Sequence, residues 1–537
     1  MSLRLRLRGL WNKGFTGLSV LAVVLLGAAL LIVLAPMLYR GFQAVVFVET
    51  VEFRKMAFWE LGRGDEQTLQ AEIAAVQAAR EPVYALLDRF SRGIDVERQI
   101  GQARELYRRY GEKLRAEQTP REEYTDKRAR AKELRDALTD AYEAQDAVTA
   151  KEHLQAVLSR ADEPWVRDTM LREYVEMARD YGEVIATIDL GRRQEYAQAL
   201  DEVKAALRKL LGPRPREEVP ALAEDRYGAT RWDLAQRDLK RLLYDEQWLQ
   251  EQPGQPLVRK WVPRTAPSQF GGTALEPLFG VVETHLEEML RPRWRFYWQY
   301  FIDGSTPGHF FGGVGPEVLG TLLLTLCAML FAVPLGIVSA GYLVECGGDH
   351  RMVRIIRTCI NTLAGVPSIV FGLFGLAFFV LIVGRPCVLA ASLTLGLLVL
   401  PVIIRASEEA IRAVPETYKE ASLALGAGRF RTFVRVILPA ALPGILTGII
   451  LSVSRAAGET APILFTGAVF YGDVPRSLFG QTPALSYGSY GIATGDRIGM
   501  EMPHQQYGMV MTLILLVLLL NLAAIAIRHR VQKRLRG

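Results

Sequence analysis

At 537 residues, half of them hydrophobic and only 23% charged, the chain is too long for one ordinary domain and not apolar enough to lie in a membrane throughout. Its net charge of +6 is modest and gives no reason to expect a nucleic-acid partner, so the placement of charge matters more than its sum. Apolar residues gather at 15–39 and 316–527, whereas most charges lie between 50 and 300, and two regimes therefore coexist.

Arg4, Arg6, Arg8 and Lys13 precede the first apolar run, and Arg528, Arg530, Lys533, Arg534 and Arg536 follow the last. The positive-inside rule makes both ends cytoplasmic. Phe15 to Tyr39 is uncharged and long enough for one spanning helix. A signal peptide shares the basic start, but this run is longer than the usual apolar core and no small-residue cleavage site follows it, so an uncleaved helix is expected.

Residues 41–307 are rich in Glu, Arg, Ala and Leu. From Glu122 to Leu211 apolar residues recur at three and four, the period of amphipathic helix. Asp126 with Arg130, Lys132 with Asp136 and Asp201 with Lys204 sit one turn apart, as on exposed helix faces. The breaker cluster GPRPREEVP at 212–220 ends this part, and 221–300, with several tryptophans and prolines, suits a smaller subdomain. One crossing before it places the whole segment outside the cytoplasm, as a spacer or as a dock for a solute-binding protein or sibling subunit. It has no cysteine, so helix packing must hold it. Cys327, Cys346, Cys359 and Cys387 all lie in or beside apolar runs without zinc or redox spacing, and the six histidines are scattered. Neither a disulfide framework nor a metal site is expected.

Further apolar runs follow at Pro316–Leu343, Thr358–Val383, Cys387–Ile404, Val436–Phe465 and Tyr507–Ile527. With the first they make six, an even count that agrees with basic tails on one side. Parity makes the loops with Arg351, Arg354 and Arg357, and with Arg412, Lys419, Arg429, Arg431 and Arg435, cytoplasmic; the outer loop balances Asp473, Asp496 and Glu501 against Arg476 and Arg497. The expectation is an all-α membrane protein with six transmembrane helices and a mainly helical extracytoplasmic domain inserted after the first. The domains would be 1–40, 41–307 and 308–537, with a charged cytoplasmic segment at 405–435.

Inside that segment, EASLALGAGRFRTFVRVILP places Glu420, Ala421 and Ser422, then Gly426, then Leu438 and Pro439 at the spacing of the coupling loop of ABC importer permeases, which it resembles. A short amphipathic helix stopped by Gly426 in a left-handed cap could enter a groove on a partner; an interfacial helix is the plainer alternative. No G-x-x-x-x-G-K-[ST] sequence occurs, so ATP and Mg would be used by a separate ATPase. The chain is read as a transport subunit without cofactor, not an enzyme.

The run SRAAGETAPILF puts Arg455 and Glu459 four apart on a face shared with Ser452, beside the helix-loosening Gly458 and Pro462, with Thr460 next to them. An arginine near the bilayer centre costs roughly 2.5–3.5 kcal/mol, so it should point away from lipid. A guanidinium pairs with a tetrahedral oxyanion. The alternative is an ion pair that only braces the helix. Arg405 either lines the path or snorkels to the boundary.

VPSIVFGLF at 366–374, RAAGETAPILFT at 455–466 and SAGYLVE at 339–345 resemble the membrane subunits of bacterial phosphate ABC importers. The resemblance covers the six helices and the coupling loop. It implies half of a type I importer in the bacterial inner membrane, with a homologous PstC, a PstB ATPase dimer and the periplasmic phosphate-binding protein PstS. It also implies that the arginines matching Arg405 and Arg455 matter for phosphate passage. The insert at 41–307 departs from familiar members, whose outer loop is much shorter. Two alternatives stay open: a permease for sulfate or molybdate, and a membrane sensor or scaffold whose external helices are the functional part.

Overall fold

The computed structural model describes residues 2–215, 227–250, 257–348, 350–495 and 502–536. The chain forms two compact units, one from the residues up to Phe47 together with those from Arg295 onward, the other from Val48–Trp294. The first helix, α1 (Ser2–Phe42), is exposed at every position from Phe15 to Val33. A helix apolar all round is stable only in an apolar solvent. Its apolar part, Phe15–Phe42, is 28 residues long. At ~1.5 Å per residue that exceeds a hydrocarbon core of about 30 Å.

The unit Val48–Trp294 is built from α2 (Val51–Leu61), α3 (Glu66–Ile94), α4 (Val96–Ala116), α5 (Arg121–Glu143), α6 (Ala147–Leu158), α7 (Arg172–Ile185), α8 (Arg193–Leu211), α9 (Trp232–Leu243), a hairpin of β1 (Tyr244–Leu249) and β2 (Val258–Pro263), and α10 (Glu276–Leu290). Side-chain caps start several helices: Asp65 accepts from the Thr68 amide, Asp95 from that of Arg98, and Asp146 from those of Val148 and Thr149. The three- and four-residue spacing expected from Glu122 to Leu211 sends Ala131, Leu134, Leu138 and Tyr142 inward, where they meet Leu106, Tyr174 and Tyr181. Tyr142 and Tyr181 pack edge to face at 4.7 Å, and the Tyr174 hydroxyl donates to the Ala103 carbonyl. Such a core needs no cross-link. Asp126 and Asp201 do pair with Arg130 and Lys204. Asp136, expected to meet Lys132, is instead taken by its neighbour Arg135, whose guanidinium lies over the Tyr107 ring and is aimed there by that stacking.

A charged core completes this unit. Fully buried Glu52 binds Arg80 at 2.9 Å and Lys55 at 2.6 Å. Arg80 also donates to the carbonyls of Leu211 and Met289, near the C-terminal ends of α8 and α10. Those orphan carbonyls want cations. Arg54 does the same for Arg291 O and joins Glu49 and Glu72. Helix α8 stops at Leu211, before Gly212 at φ +79°; most of the breaker cluster, at 216–220, lies outside the described residues.

The chain then supplies α11 (Gly315–Gly341), α12 (Arg351–Ala364), α13 (Ser368–Gly375), α14 (Val388–Arg412), α15 (Glu416–Ala424), α16 (Leu438–Gly458), α17 (Ala461–Leu464), α18 (Leu485–Thr494) and α19 (Pro503–Arg536). Among the described residues five helices are long and apolar enough to span: Phe15–Phe42, Gly315–Cys346, Val388–Arg412, Arg429–Gly458 and Pro503–Lys533. The run Thr358–Val383, expected as one helix, is a pair, Arg351–Ala364 and Ser368–Val383, bent by 103°. Gly365 caps the first half. Pro367 has no N–H to continue the ladder and holds Val366 out of helical geometry. Of the outer loop, Asp496, Arg497 and Glu501 lie outside the described residues.

Helices α11 and α14 pack through Leu324, Ala328, Ala332 and Leu395, Val399, Ile403. Helix α16 meets α14 through small residues: a Cβ on Gly448 would sit 2.3 Å from that of Ala406, and one on Gly444 would sit 2.7 Å from that of Ala410. In lipid nothing hydrophobic pushes helices together, so such backbone approach is what supplies contact. Within the expected segment 41–307 the compact unit is Val48–Trp294, and 295–307 fall in the other unit: Tyr297 N–H donates to Val45 O, and Val314 N–H to Tyr300 O.

Candidate functional site

Helix α16 is apolar until its last turn, where Arg455 stands, and it ends at Gly458 because Glu459 is already extended (φ −79°, ψ 129°). A short helix, α17, restarts after Thr460 with Pro462 in its first turn, the position where a missing N–H costs nothing. The break brings Arg455 Nε to 3.3 Å from Glu459 Oε1. The Arg455 side chain is 37% exposed and that of Glu459 20%, so the pair opens outward from the chain. A half-paired guanidinium open to lipid alone would be costly, and its free N–H groups point to a polar occupant.

The other expected path residues are placed differently. Ser452 is fully buried and its hydroxyl donates to Gly448 O at 2.9 Å, on its own helix. Thr460 caps α17, its carbonyl accepting from the Leu464 amide. Arg405 is exposed on α14, one residue from the Ala406–Gly448 contact that joins α14 to α16. Two contacts were not anticipated. Ser454 donates to Asn521 Oδ1 at 2.7 Å, joining α16 to α19, and Ser486 of α18 donates to the Glu459 carbonyl at 3.3 Å. Asn521 stands as a lone amide in the apolar run of α19, and that is the signal that marks it.

The charged segment is a second site. Helix α15 carries Glu420, Ala421 and Ser422, and Gly426 follows in the left-handed region (φ +83°), its N–H on Leu423 O. Glu420, Ala421 and Gly426 are exposed, as are Tyr418, Leu425 (90%) and Phe430 (80%), an apolar fringe on a charged turn. The turn is tied back on its other side: the Ser422 and Thr432 hydroxyls lie 2.9 Å apart, and Lys419 binds Glu345 at the end of α11 at 2.6 Å. Glu408 of α14 meanwhile holds Arg357 at 3.0 Å and Arg412 at 2.7 Å. The chain re-enters α16 through a widened turn, Phe433–Ile437, immediately before half-buried Leu438 and Pro439. Pro439 cannot donate to the turn before it, and the widening re-phases the ladder. Lys419–Glu345 ties the exposed knob to the turn Tyr342–Cys346 after α11, and Arg357 joins that turn, through Leu343 O, to Glu408 of α14.

An apolar bundle with a half-paired arginine at a helix break and an exposed charged turn fits a membrane permease. In agreement, residues 332–537 match the family described as binding-protein-dependent transport system inner membrane component. Phosphate transport system permease protein PstA 1 of Mycobacterium tuberculosis (strain ATCC 25618 / H37Rv) is 39% identical over 244 residues, 45% of this chain and 77% of the relative. The probable phosphate transport system permease protein PstA of Methanocaldococcus jannaschii is 34% identical over 217 residues, 40% of this chain and 75% of the relative. The chain belongs to the PstA family of phosphate transport system permease proteins. Among solved structures, an inward-facing MetNI methionine ABC transporter matches 41% of this chain and 94% of its own at 22% identity, with a TM-score of 0.30.

Proposed function

We propose that this chain forms one half of the path of an ATP-driven importer of inorganic phosphate across the inner membrane, and that Arg455 is the transient anion contact. The observation that carries the reading is the open Arg455–Glu459 pair at the α16–α17 break, inside the part of the chain shared with phosphate permeases. Arriving phosphate would exchange with Glu459 for the guanidinium, a shallow well that permits release. Arg405 and Thr460 would complete the lining.

Counting the bent pair Arg351–Val383 as one span gives six, with both termini cytoplasmic and Val48–Trp294 periplasmic; the basic tails and the arginines of 351–357 and 405–435 support that orientation. The partners would be PstC, two PstB subunits that bind and hydrolyse MgATP, and PstS. Closure of the ATPase dimer would move α15; Lys419–Glu345 would pass the movement to the turn after α11, and Arg357, bound to Leu343 O and to Glu408, would carry it on to α14.

The test is copurification with ATPase activity followed by uptake in proteoliposomes. An associated ATPase that is lost on Glu420→Arg, with uptake of phosphate that excess sulfate or molybdate does not suppress, is expected. Suppression by either would reassign the substrate, and absence of an ATPase would reassign the chain to a sensor or scaffold.

A further inference from the structure

The end of the membrane unit where α11 begins holds two buried titratable groups that the transport reading does not use. Glu317, in the first turn of α11, is 0% exposed, and His309, in the turn before it, is 1% exposed. His309 Nε2 lies 3.0 Å from the carbonyl oxygen of Phe470. A carbonyl only accepts, so Nε2 carries the hydrogen and the neutral ring presents a bare lone pair at Nδ1. That lone pair faces Glu317 Oε1 at 3.9 Å. Among the described residues neither Nδ1 nor Glu317 Oε2 has a hydrogen-bond partner, and Oε1 takes only a long contact from the Ser305 hydroxyl at 3.4 Å.

Two acceptors facing one another out of water repel unless a proton lies with the pair. Little else there supplies a charge. On the turn, Asp303 is committed to the Tyr297 hydroxyl at 2.7 Å. On the Phe470 segment, Tyr471 and Asp473 are exposed. Helix α18 has only Tyr487 and Tyr490, α11 has no other charged residue, and α19 brings His504, which has its own partner, and Gln505, which donates to Gly312 O. The Phe470 ring stands edge-on to the imidazole at 4.7 Å, and Gly488 of α18 lies beside Glu317, a Cβ there falling at an ordinary contact distance of 3.9 Å from its Cγ. Burial also pushes the imidazole below its usual range, so a free cation there is disfavoured.

We infer that Glu317 and His309 share a single proton, and that this proton latches the start of α11, through the His309 turn, to the Phe470 segment. Helix α18 is pinned at its first residue by Thr321 Oγ1, which accepts from the Leu485 amide at 2.9 Å, and at its second by Ser486 on the Glu459 carbonyl. Those two bonds do not involve the proton, so its loss frees the His309 turn and the Phe470 segment while α18 stays held. The shared proton does not rest on the transport reading. The sign follows from linkage. The pair keeps a proton that separated Glu and His, with pKa values of about 4.3 and 6.5, have both lost above neutrality, so the latch is complete below about pH 6.5 and lost as pH rises through the pair's own titration.

The test is hydrogen exchange, corrected for intrinsic rates, on the full chain in detergent without phosphate, from about pH 6 to about pH 9, bracketing the imidazole. Protection at 305–312 should fall with rising pH, by up to about ten-fold per unit, the one-proton limit, while that at 485–495, held by the Thr321 and Ser486 bonds, should stay level. In Glu317→Gln the amide donates to Nδ1 without titrating, so protection should stay high and flat. Should that variant fail to fold, Glu317→Met, which likewise leaves no carboxyl there to titrate, carries the same expectation of a flat profile. Wild-type protection at 305–312 that does not change with pH overturns the inference, and so does a pH slope that survives in the folded variant. Neither result bears on phosphate uptake, so the two readings fail separately.

Discussion

The two units treat buried charge in opposite ways. In Val48–Trp294, Glu52, Arg80, Lys55, Arg54 and Glu72 are held in pairs and on helix-end carbonyls. In the membrane unit, buried Glu317 and His309 face each other without a bond, and Arg455 is bonded at one nitrogen only. Satisfied charge fixes a fold, whereas the unsatisfied charge marks where we propose that something arrives, a proton in one place and an anion in the other. The units also differ in how they pack: aromatic and aliphatic side chains fill the first, and small residues let backbones touch in the second.

The largest effect should come from that second difference. Gly448→Leu drives a side chain into Ala406, where even a Cβ has 2.3 Å, and should prevent α14 and α16 from packing. Loss of a folded membrane unit, read as early thermal aggregation in detergent, is the expected outcome; a normal melting profile would mean the contact is dispensable. Arg80→Met comes next. It strips Glu52 of its main partner and two helix ends of their cation, and should destabilise Val48–Trp294 by about 3–5 kcal/mol. Exchange at α3, α8 and α10 measures it, and a change within error would show that buried charge in this unit is no more structural than in the other. Ser454→Ala should cost only about 0.6 kcal/mol, the usual worth of one hydrogen bond between membrane helices. Asp126→Asn, on an exposed pair, should leave the melting point unchanged; a clear shift would show that surface pairs carry stability in this unit.

The same contrast explains what the residues disclose in advance. Long apolar runs mark the spans because a bilayer requires them, and the three- and four-residue period marks α5 and its neighbours because one face must be buried. Gly426 could be read as a left-handed cap from its place after a short charged helix. The bend at Gly365–Pro367 is written in the proline, yet a count of apolar residues passes over it. Arg455 and Glu459 are near in sequence, so their pairing was legible, although Ser452, on the same face by spacing, is buried and turned to its own backbone. Glu317 was not legible as special. What makes it so is His309, Phe470 and Gly488, brought together by tertiary structure from distant parts of the chain. The limits of the compact unit Val48–Trp294 were hidden for the same reason, since Tyr297 and Tyr300 reveal their side of the boundary only through contacts distant in sequence.

The most direct measurement is ATP-driven uptake of labelled phosphate into proteoliposomes by the assembled transporter carrying Arg455→Gln, with Arg455→Lys beside it. The account predicts that uptake is lost in the glutamine variant while ATP hydrolysis persists, and that lysine, which keeps the charge without the fork, restores it in part. Full phosphate uptake by Arg455→Gln would contradict it.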